Sequence, residues 1–212
     1  EVTGRIDDQI KIRGFRIELG EIDTHVSKFP VVRENRTIVK KDENGENYLL
    51  SFLVLKSENA SIEEEYLSNK FDSLDFSAVK ANEDLRTDLV KSLAKYHKLA
   101  TGLKKFLATR LANYALPSIV VVLPKFPLNP NGKIDKNKLP VPTSEELASA
   151  AKFLYELDDG ASSASADQFN ETQSKIKQIW YDILPTKPII NHLNDSFFDL
   201  GGHSILATRM IF

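Results

Sequence analysis

Apolar and polar residues alternate along Gln9-Ile10-Lys11-Ile12-Arg13, the pattern of a strand with one buried face. Gly14 reads as a bend, after which Arg16-Ile17-Glu18 resumes the alternation. Leu19, Ile22, Val26 and Phe29 then fall at helical spacing, and Pro30 ends that helix. Residues 36–41 and 48–56 are two strand-like runs. Asn44-Gly45 between them signals a hairpin, because a type I′ turn needs positive φ at both central residues. Residues 57–100 are polar, with helical stretches but few large apolar side chains, and read as an insertion. Leu103, Phe106, Leu107, Arg110, Leu111 and Tyr114 predict an amphipathic helix closed by Pro117. A short buried strand follows at 118–123. Near the end, Ile176, Ile179, Trp180, Ile183 and Leu184 form an apolar helical stripe, with Asn170 and Gln173 placed as a capping box. A loop rich in Pro and Asn leads to a second helix beginning near Ser204. No internal repeat is apparent.

Composition sets the domain plan. The chain has 212 residues, 28 Lys+Arg against 30 Asp+Glu, and no Cys. The last excludes a disulfide scaffold, a thiolate zinc site and a cysteine nucleophile. The balanced charge argues against a nucleic-acid partner, and no apolar run approaches a membrane span, so no membrane partner is expected. The charge is uneven: residues 141–170 hold 1 basic and 6 acidic side chains. Together with Ser162-Ser163-Ala164-Ser165-Ala166, that composition reads as a flexible acidic linker. The expected class is α+β. A small mixed α/β unit spans 1–140, with its insertion at 57–100. The linker follows at 141–170, then a truncated all-α bundle at 171–212. With no initiator Met and an end inside an apolar pattern, the chain reads as a cytoplasmic fragment of a longer polypeptide.

Three segments carry candidate chemistry. Gly4-Arg5-Ile6-Asp7-Asp8 through Glu21-Ile22 reads as a charged hairpin leading into a helix; a basic stripe for RNA is disfavoured, since no aromatic stacking platform accompanies it. Leu128-Asn129-Pro130-Asn131-Gly132-Lys133 is a tight turn projecting Lys133. That residue is either a plain exposed lysine or a point charge for a phosphate or carboxylate. Asp195-Ser196-Phe197-Phe198-Asp199-Leu200-Gly201-Gly202-His203-Ser204 places Ser204 at a helix start. It serves there either as an N-cap or as a hydroxyl carrying a phosphate. His25, His97, His192 and His203 are scattered, and no protein metal site is expected. His203, beside Ser204, is the exception that a modifying enzyme could read.

In this order and spacing the three segments resemble known motifs. The third is similar to the phosphopantetheine attachment site of carrier domains. The first two are similar to the hinge-side and terminal motifs of amino-acid-activating adenylation domains. Residues 1–56 and 101–140 resemble the small C-terminal subdomain of that adenylate-forming family, and 171–212 the first half of a carrier domain. The insertion and Ala112-Asn113-Tyr114-Ala115-Leu116-Pro117 tilt the resemblance toward the fungal α-aminoadipate reductase family. The shared wording of residues 4–22 leaves non-ribosomal peptide synthetases as the alternative. A non-catalytic carrier or interaction module is a third reading.

The resemblance implies a role for each residue. Lys133 reaches the substrate carboxylate and the α-phosphate of ATP, which enters with Mg²⁺. Arg5 contacts the ribose, Asp7 is the hinge, and Gly14 lines the pantetheine channel. Ser204 carries 4′-phosphopantetheine, placed there by a phosphopantetheinyl transferase. The small-molecule amino-acid substrate is activated with a large adenylation subdomain upstream, loaded as a thioester, and reduced by an NADPH-using domain downstream. The fragment alone is expected to be inactive.

Overall fold

The structure is a computed structural model. It describes residues 9–12, 14–41, 45, 47–56, 86–158 and 169–184, with Asp75, Ser77, Ile190, Phe197 and Ala207. An antiparallel hairpin, β1 (Gln9–Ile12) and β2 (Phe15–Glu18), leads directly into α1 (Leu19–Val26). Strands β3 (Val32–Lys41), β4 (Asn47–Leu55) and β5 (Ile119–Val122) form a sheet of order β3-β4-β5. β3 pairs antiparallel to β4, and β5 pairs parallel to it. A parallel pair needs a long crossover. Here that crossover contains α2 (Thr87–Lys95) and α3 (His97–Ala108). Two more helices follow, α4 (Ser144–Asp158) and α5 (Glu171–Ile183).

The central strand β4 is apolar on both faces. Leu49 and Leu53 point one way, where Leu19, Ile22 and Val26 of α1 and Leu99, Leu103 and Leu107 of α3 cover them. Ile12 and Ile17 of the hairpin join that cluster. Leu50, Phe52 and Val54 point the other way, among Ile38, Val121, Leu89 of α2, Phe126 and Leu139. Alternation along one strand thus divides the core into two layers. Where the first face meets polar side chains, they are paired. Buried Thr37 and Ser51 share a hydroxyl hydrogen bond of 2.8 Å. The Asp23 carboxylate accepts from the Thr37 N–H at 2.7 Å and from Asn35 Nδ2 at 3.2 Å, joining α1 to β3. Burial pushes the Asp23 pKa up, and these donors only partly oppose it.

β3 and β4 pair antiparallel as the hairpin signal at Asn44-Gly45 predicts, ending at Lys41 with Asn47, and Gly45 takes a φ of 80°; Asn44 lies outside the described residues. Later elements differ from the sequence pattern. The helix expected from Leu103 to Tyr114 begins at His97 and stops at Ala108. Its end is capped from the side. Thr109 Oγ1 and Arg110 Nη1 both donate to the Phe106 carbonyl, at 2.9 and 2.7 Å. The chain then turns, and Asn113–Ala115 forms a 3₁₀ turn carrying Tyr114.

The polar stretch 57–100 is not all peripheral, because Leu89, Val90, Ala94 and Leu99 within it are buried. Nor is 141–170 all linker. Residues 144–158 are helical, with Ala150 and Phe153 buried. Four of the six acidic residues of that stretch lie within this helix, and the serine-rich run Ser162-Ser163-Ala164-Ser165 follows it. Residues 159–168 are outside the described residues.

A polar clamp fastens α4 to the start of α2. Thr143-x-x-Glu146 is a capping box: the Glu146 N–H donates to Thr143 Oγ1 at 3.2 Å. In return the Thr143 N–H donates to Glu146 Oε2 at 2.9 Å. The same carboxylate takes a bidentate pair from Arg86, with Nε to Oε1 at 2.8 Å and Nη2 to Oε2 at 2.6 Å. The Arg86 N–H adds a bond at 3.0 Å. Glu146 is fully buried, while the Arg86 side chain is 45% exposed. Burial alone would raise the Glu146 pKa. The Arg86 and backbone donors outweigh it and hold the carboxyl below the usual range. The Arg86 guanidinium moves the other way, its pKa raised by the same bonds.

A folded-state pKa below the unfolded one stabilises the fold above the unfolded value, and that gain is lost as pH falls through the folded value. Glu146→Gln should therefore cost about 2–4 kcal/mol at pH 7. It should also flatten the acid-side loss of stability below about pH 4. Urea unfolding followed by circular dichroism checks this, and an unchanged acid limb would refute the clamp.

Candidate functional site

The Lys133 turn is built from backbone and one asparagine. After β5, Phe126 is buried, and Leu128 and Ile134 then form an isolated antiparallel bridge. Within it the Asn129 N–H donates to the Lys133 carbonyl at 2.8 Å, and the Gly132 N–H to the Asn129 carbonyl at 2.9 Å. Asn129 Oδ1 accepts from the N–H groups of Asn131 and Lys133, both at 3.0 Å. This is the local side-chain to backbone bonding that favours Asn in turns. Gly132 takes a φ of 76°, which disfavours any side chain there. Asp135 closes the far side, accepting from the Asn137 N–H at 3.1 Å and starting the turn Lys136–Lys138.

Every backbone N–H from Asn129 to Lys133 is thus engaged, while Lys133 itself is exposed. Its ammonium has no hydrogen-bond or ion-pair partner among the described residues. Lys125, Lys136 and Lys138 are also exposed nearby in sequence, so the loop presents positive charge. A hydrogen-bonded frame that presents the Lys133 ammonium suits an anionic group arriving from outside. Asn129 was not singled out from the sequence, although Asn-Pro-Asn-Gly is a turn signal with a known mechanism.

The second candidate element is the β1-β2 hairpin. Ile12 pairs with Phe15, and Gly14 lies in the loop between them. Gly14 is exposed with a φ of 83°, and a Cβ built on it meets nothing within 4 Å. The glycine is therefore required by its own backbone, and its surroundings are open. Pairing sorts the hairpin into two faces. Ile10, Ile12, Phe15 and Ile17 lie inward, where Ile12 and Ile17 are buried. Lys11 lies opposite Arg16 on the outer face, a like-charge pair that weakens the hairpin by about 0.2–1 kcal/mol.

Phe15 lies beyond the core edge and stacks on Tyr114, with centroids 4.1 Å apart and planes 4° from parallel. Such ring pairs contribute about 0.5–1.5 kcal/mol beyond area burial. No local pattern in the sequence points to this pair, because the two rings are far apart along the chain.

The hairpin and the Lys133 turn sit on opposite faces of the sheet. Ile12 and Ile17 belong to the layer under Leu49 and Leu53, and Phe126 and Ile134 to the layer under Leu50 and Phe52. The structure therefore does not bring Gly14 and Lys133 into one site. A cleft of about 890 Å³ lies beside α2 and the ends of β4 and β5. Its rim includes Arg33, Lys56, Arg86, Lys91 and Lys95, and neither Gly14 nor Lys133 lines it. Among the described residues no cluster of His, Asp and Glu could hold a metal, and no helix is long and apolar enough to cross a membrane.

The C-terminal helical part is described in pieces. Helix α5 begins with the expected capping box. Asn170 Oδ1 accepts from the Gln173 N–H at 2.9 Å, and Gln173 Oε1 from the Asn170 N–H at 2.8 Å. Leu184 and Phe197 are buried together, with Trp180, Ile183 and helical Ala207 against them. The Trp180 and Phe197 rings lie 5.2 Å apart. In sequence, Ser204 falls between Phe197 and Ala207, both anchored to this cluster. Ser204, Arg5 and Asp7 lie outside the described residues.

Residues 174–212 match the phosphopantetheine attachment site family. The whole chain aligns with the L-2-aminoadipate reductase large subunit of Eremothecium gossypii at 48% identity over 211 residues, covering 99% of this chain. It aligns with L-2-aminoadipate reductase of Saccharomyces cerevisiae at 47% over 214 residues, covering 100% of this chain. In both cases the chain spans 14% of the relative's length. Tyrocidine synthase 3 of Brevibacillus parabrevis is 32% identical over 212 residues, covering 100% of this chain and 2% of that protein. The chain is therefore a homologue, end to end, of one segment of the fungal L-2-aminoadipate reductases, with a phosphopantetheine attachment site matched at its C-terminal end.

Proposed function

We propose that this chain supplies the small C-terminal adenylation subdomain, and the start of the carrier domain, of an L-2-aminoadipate reductase in fungal lysine biosynthesis. The observation that carries the reading is the identity of 41–48% to several fungal reductases along the whole chain. The peptide synthetase relative stands lower, at 32%.

Lys133 is the charge-stabilising residue of adenylate formation. As the substrate carboxylate attacks the α-phosphate of ATP·Mg²⁺, negative charge builds on the phosphate oxygens. The Lys133 ammonium, held on a turn whose N–H groups are all bonded, meets that charge in the transition state, where binding accelerates the reaction. Arg5 contacts the ribose, and Asp7 is the hinge about which the small subdomain turns. After rotation the hairpin takes the place of Lys133, and Gly14 lines the path of the pantetheine arm. The opposite-face placement of hairpin and turn supports this exchange, since one rigid body can present only one of them at a time.

The residues at the carrier end suit phosphopantetheine. Ser204 offers a hydroxyl for the phosphodiester, and Phe197 and Ala207 tie the chain down on either side of it. When bound, the group supplies a thiol that takes the acyl group from the adenylate. A phosphopantetheinyl transferase installs it. NADPH-dependent reduction to the semialdehyde belongs to a downstream domain, and the protein is cytoplasmic.

Pyrophosphate exchange by the full-length protein tests the reading. We expect exchange with L-α-aminoadipate and not with a panel of other amino acids. Preference for another amino acid would move the assignment to peptide synthesis, and no exchange at all would favour a non-catalytic carrier module. Lys133→Ala should lower exchange by at least about 100-fold. Its unfolding midpoint should not move, since the side chain is exposed; unchanged exchange would remove Lys133 from the mechanism. Ser204→Ala should leave exchange intact and abolish acyl loading, and surviving loading would refute the carrier assignment.

A further inference from the structure

We infer that Tyr114 is a positioning residue for the acyl-transfer half of the reaction, holding the tip of the β1-β2 hairpin through its stack on Phe15. The inference rests on the reading above, in which the tip around Gly14 serves that half and Lys133 serves the other.

The hairpin has two strands of four residues each, a size that is marginal without support. Its base is secured by Ile17 in the core and by the direct run from β2 into α1, and Ile12, beside the loop, is buried in the same layer. Its outer face opposes closure, because Lys11 and Arg16 are direct cross-strand neighbours. Apart from Ile12, the inward side chain next to the loop is Phe15, and it stays 50% exposed. A residue serving only the core would be buried.

Tyr114 covers one face of that ring with its planes 4° from parallel. Tyr114 is itself fixed. It sits in the turn Asn113–Ala115, next to buried Ala115, and the Ser118 N–H that follows donates to the Leu49 carbonyl on β4 at 2.9 Å. The stack therefore refers the hairpin tip to the rigid sheet. The Tyr114 hydroxyl has no hydrogen-bond partner among the described residues, so the ring does the holding. A small misplacement of a reacting path is enough to slow a transfer step strongly.

The test uses the full-length protein with Tyr114→Leu and Tyr114→Phe. For Tyr114→Leu we expect pyrophosphate exchange within about twofold of wild type but single-turnover loading of aminoadipate slowed about tenfold. Tyr114→Phe, which keeps the ring, should load like wild type. Backbone hydrogen exchange over residues 9–18 should quicken in Tyr114→Leu and stay unchanged in Tyr114→Phe. Four results would overturn the inference. These are normal loading by Tyr114→Leu, a parallel loss of adenylation and loading, equal impairment of the Phe variant, and slowed loading with unchanged hairpin exchange. A wild type that performs no pyrophosphate exchange would instead remove the functional reading beneath it. The hydrogen-exchange comparison would then still decide whether Tyr114 holds the tip.

Discussion

The burial of β4 on both faces is the constraint on which the rest of the fold depends. Leu50, Phe52 and Leu53 are fully buried, and Leu49 and Val54 nearly so. A strand in that state needs a partner on each edge and a layer on each face. β3 and β5 supply the edges. The parallel sense of β5 forces a crossover, which places α3 against the first face and α2 against the second. Phe52→Ala in such a position removes about 3–5 kcal/mol. The two layers are thus linked through one strand, and neither can be lost without exposing the other.

That division positions the two candidate elements. The hairpin belongs to the first layer through Ile12 and Ile17, and the Lys133 turn to the second through Phe126 and Ile134. Each element roots apolar side chains in the core and exposes its loop tip, with Gly14 on one and Lys133 on the other. Each also contains a glycine at positive φ, which tightens the loop without a side chain at the tip. The separation is a property of strand parity: residues one apart on β4 face opposite ways.

Much of this was legible in the sequence where the signal is local. The alternation of residues 9–18, the helical spacing from Leu19 to Val26 and the Asn170–Gln173 cap all reappear as expected elements. So does the continuous apolar run of β4. Gly132 and Lys133 could be placed on a turn because Asn-Gly dictates one. The rest depended on contacts that no window of sequence displays. Arg86 and Glu146 are sixty positions apart, yet their ion pair fixes two helices that composition alone assigned to an insertion and a linker. The Thr143-x-x-Glu146 cap was readable, since Leu147, Ala150 and Phe153 follow it at helical spacing. The acidic and small residues after it masked the signal. The spacing of Leu103, Phe106 and Leu107 continues to Tyr114 and predicts helix there. The side-chain caps from Thr109 and Arg110 ended the helix earlier.

Two carboxylates, half-buried Asp23 and buried Glu146, show why polar groups in this fold do different work. Asp23 and Glu146 each accept backbone and side-chain hydrogen bonds. For Asp23, burial outweighs its donors, and its pKa rises. For Glu146, the bidentate guanidinium tips the balance the other way. The first therefore costs stability as pH rises above the unfolded carboxylate value, and the second adds it over the same range. Glu146 acts as a fastener at neutral pH, while Asp23 orders the junction of α1 and β3 against an electrostatic cost. Neither carboxylate lies on the hairpin or the Lys133 turn. Proton uptake by either therefore acts on the body of the fold and not on the exposed tips at Gly14 and Lys133. Tyr114 joins the two regions: it borders the core on one side and stacks on Phe15 of the hairpin on the other.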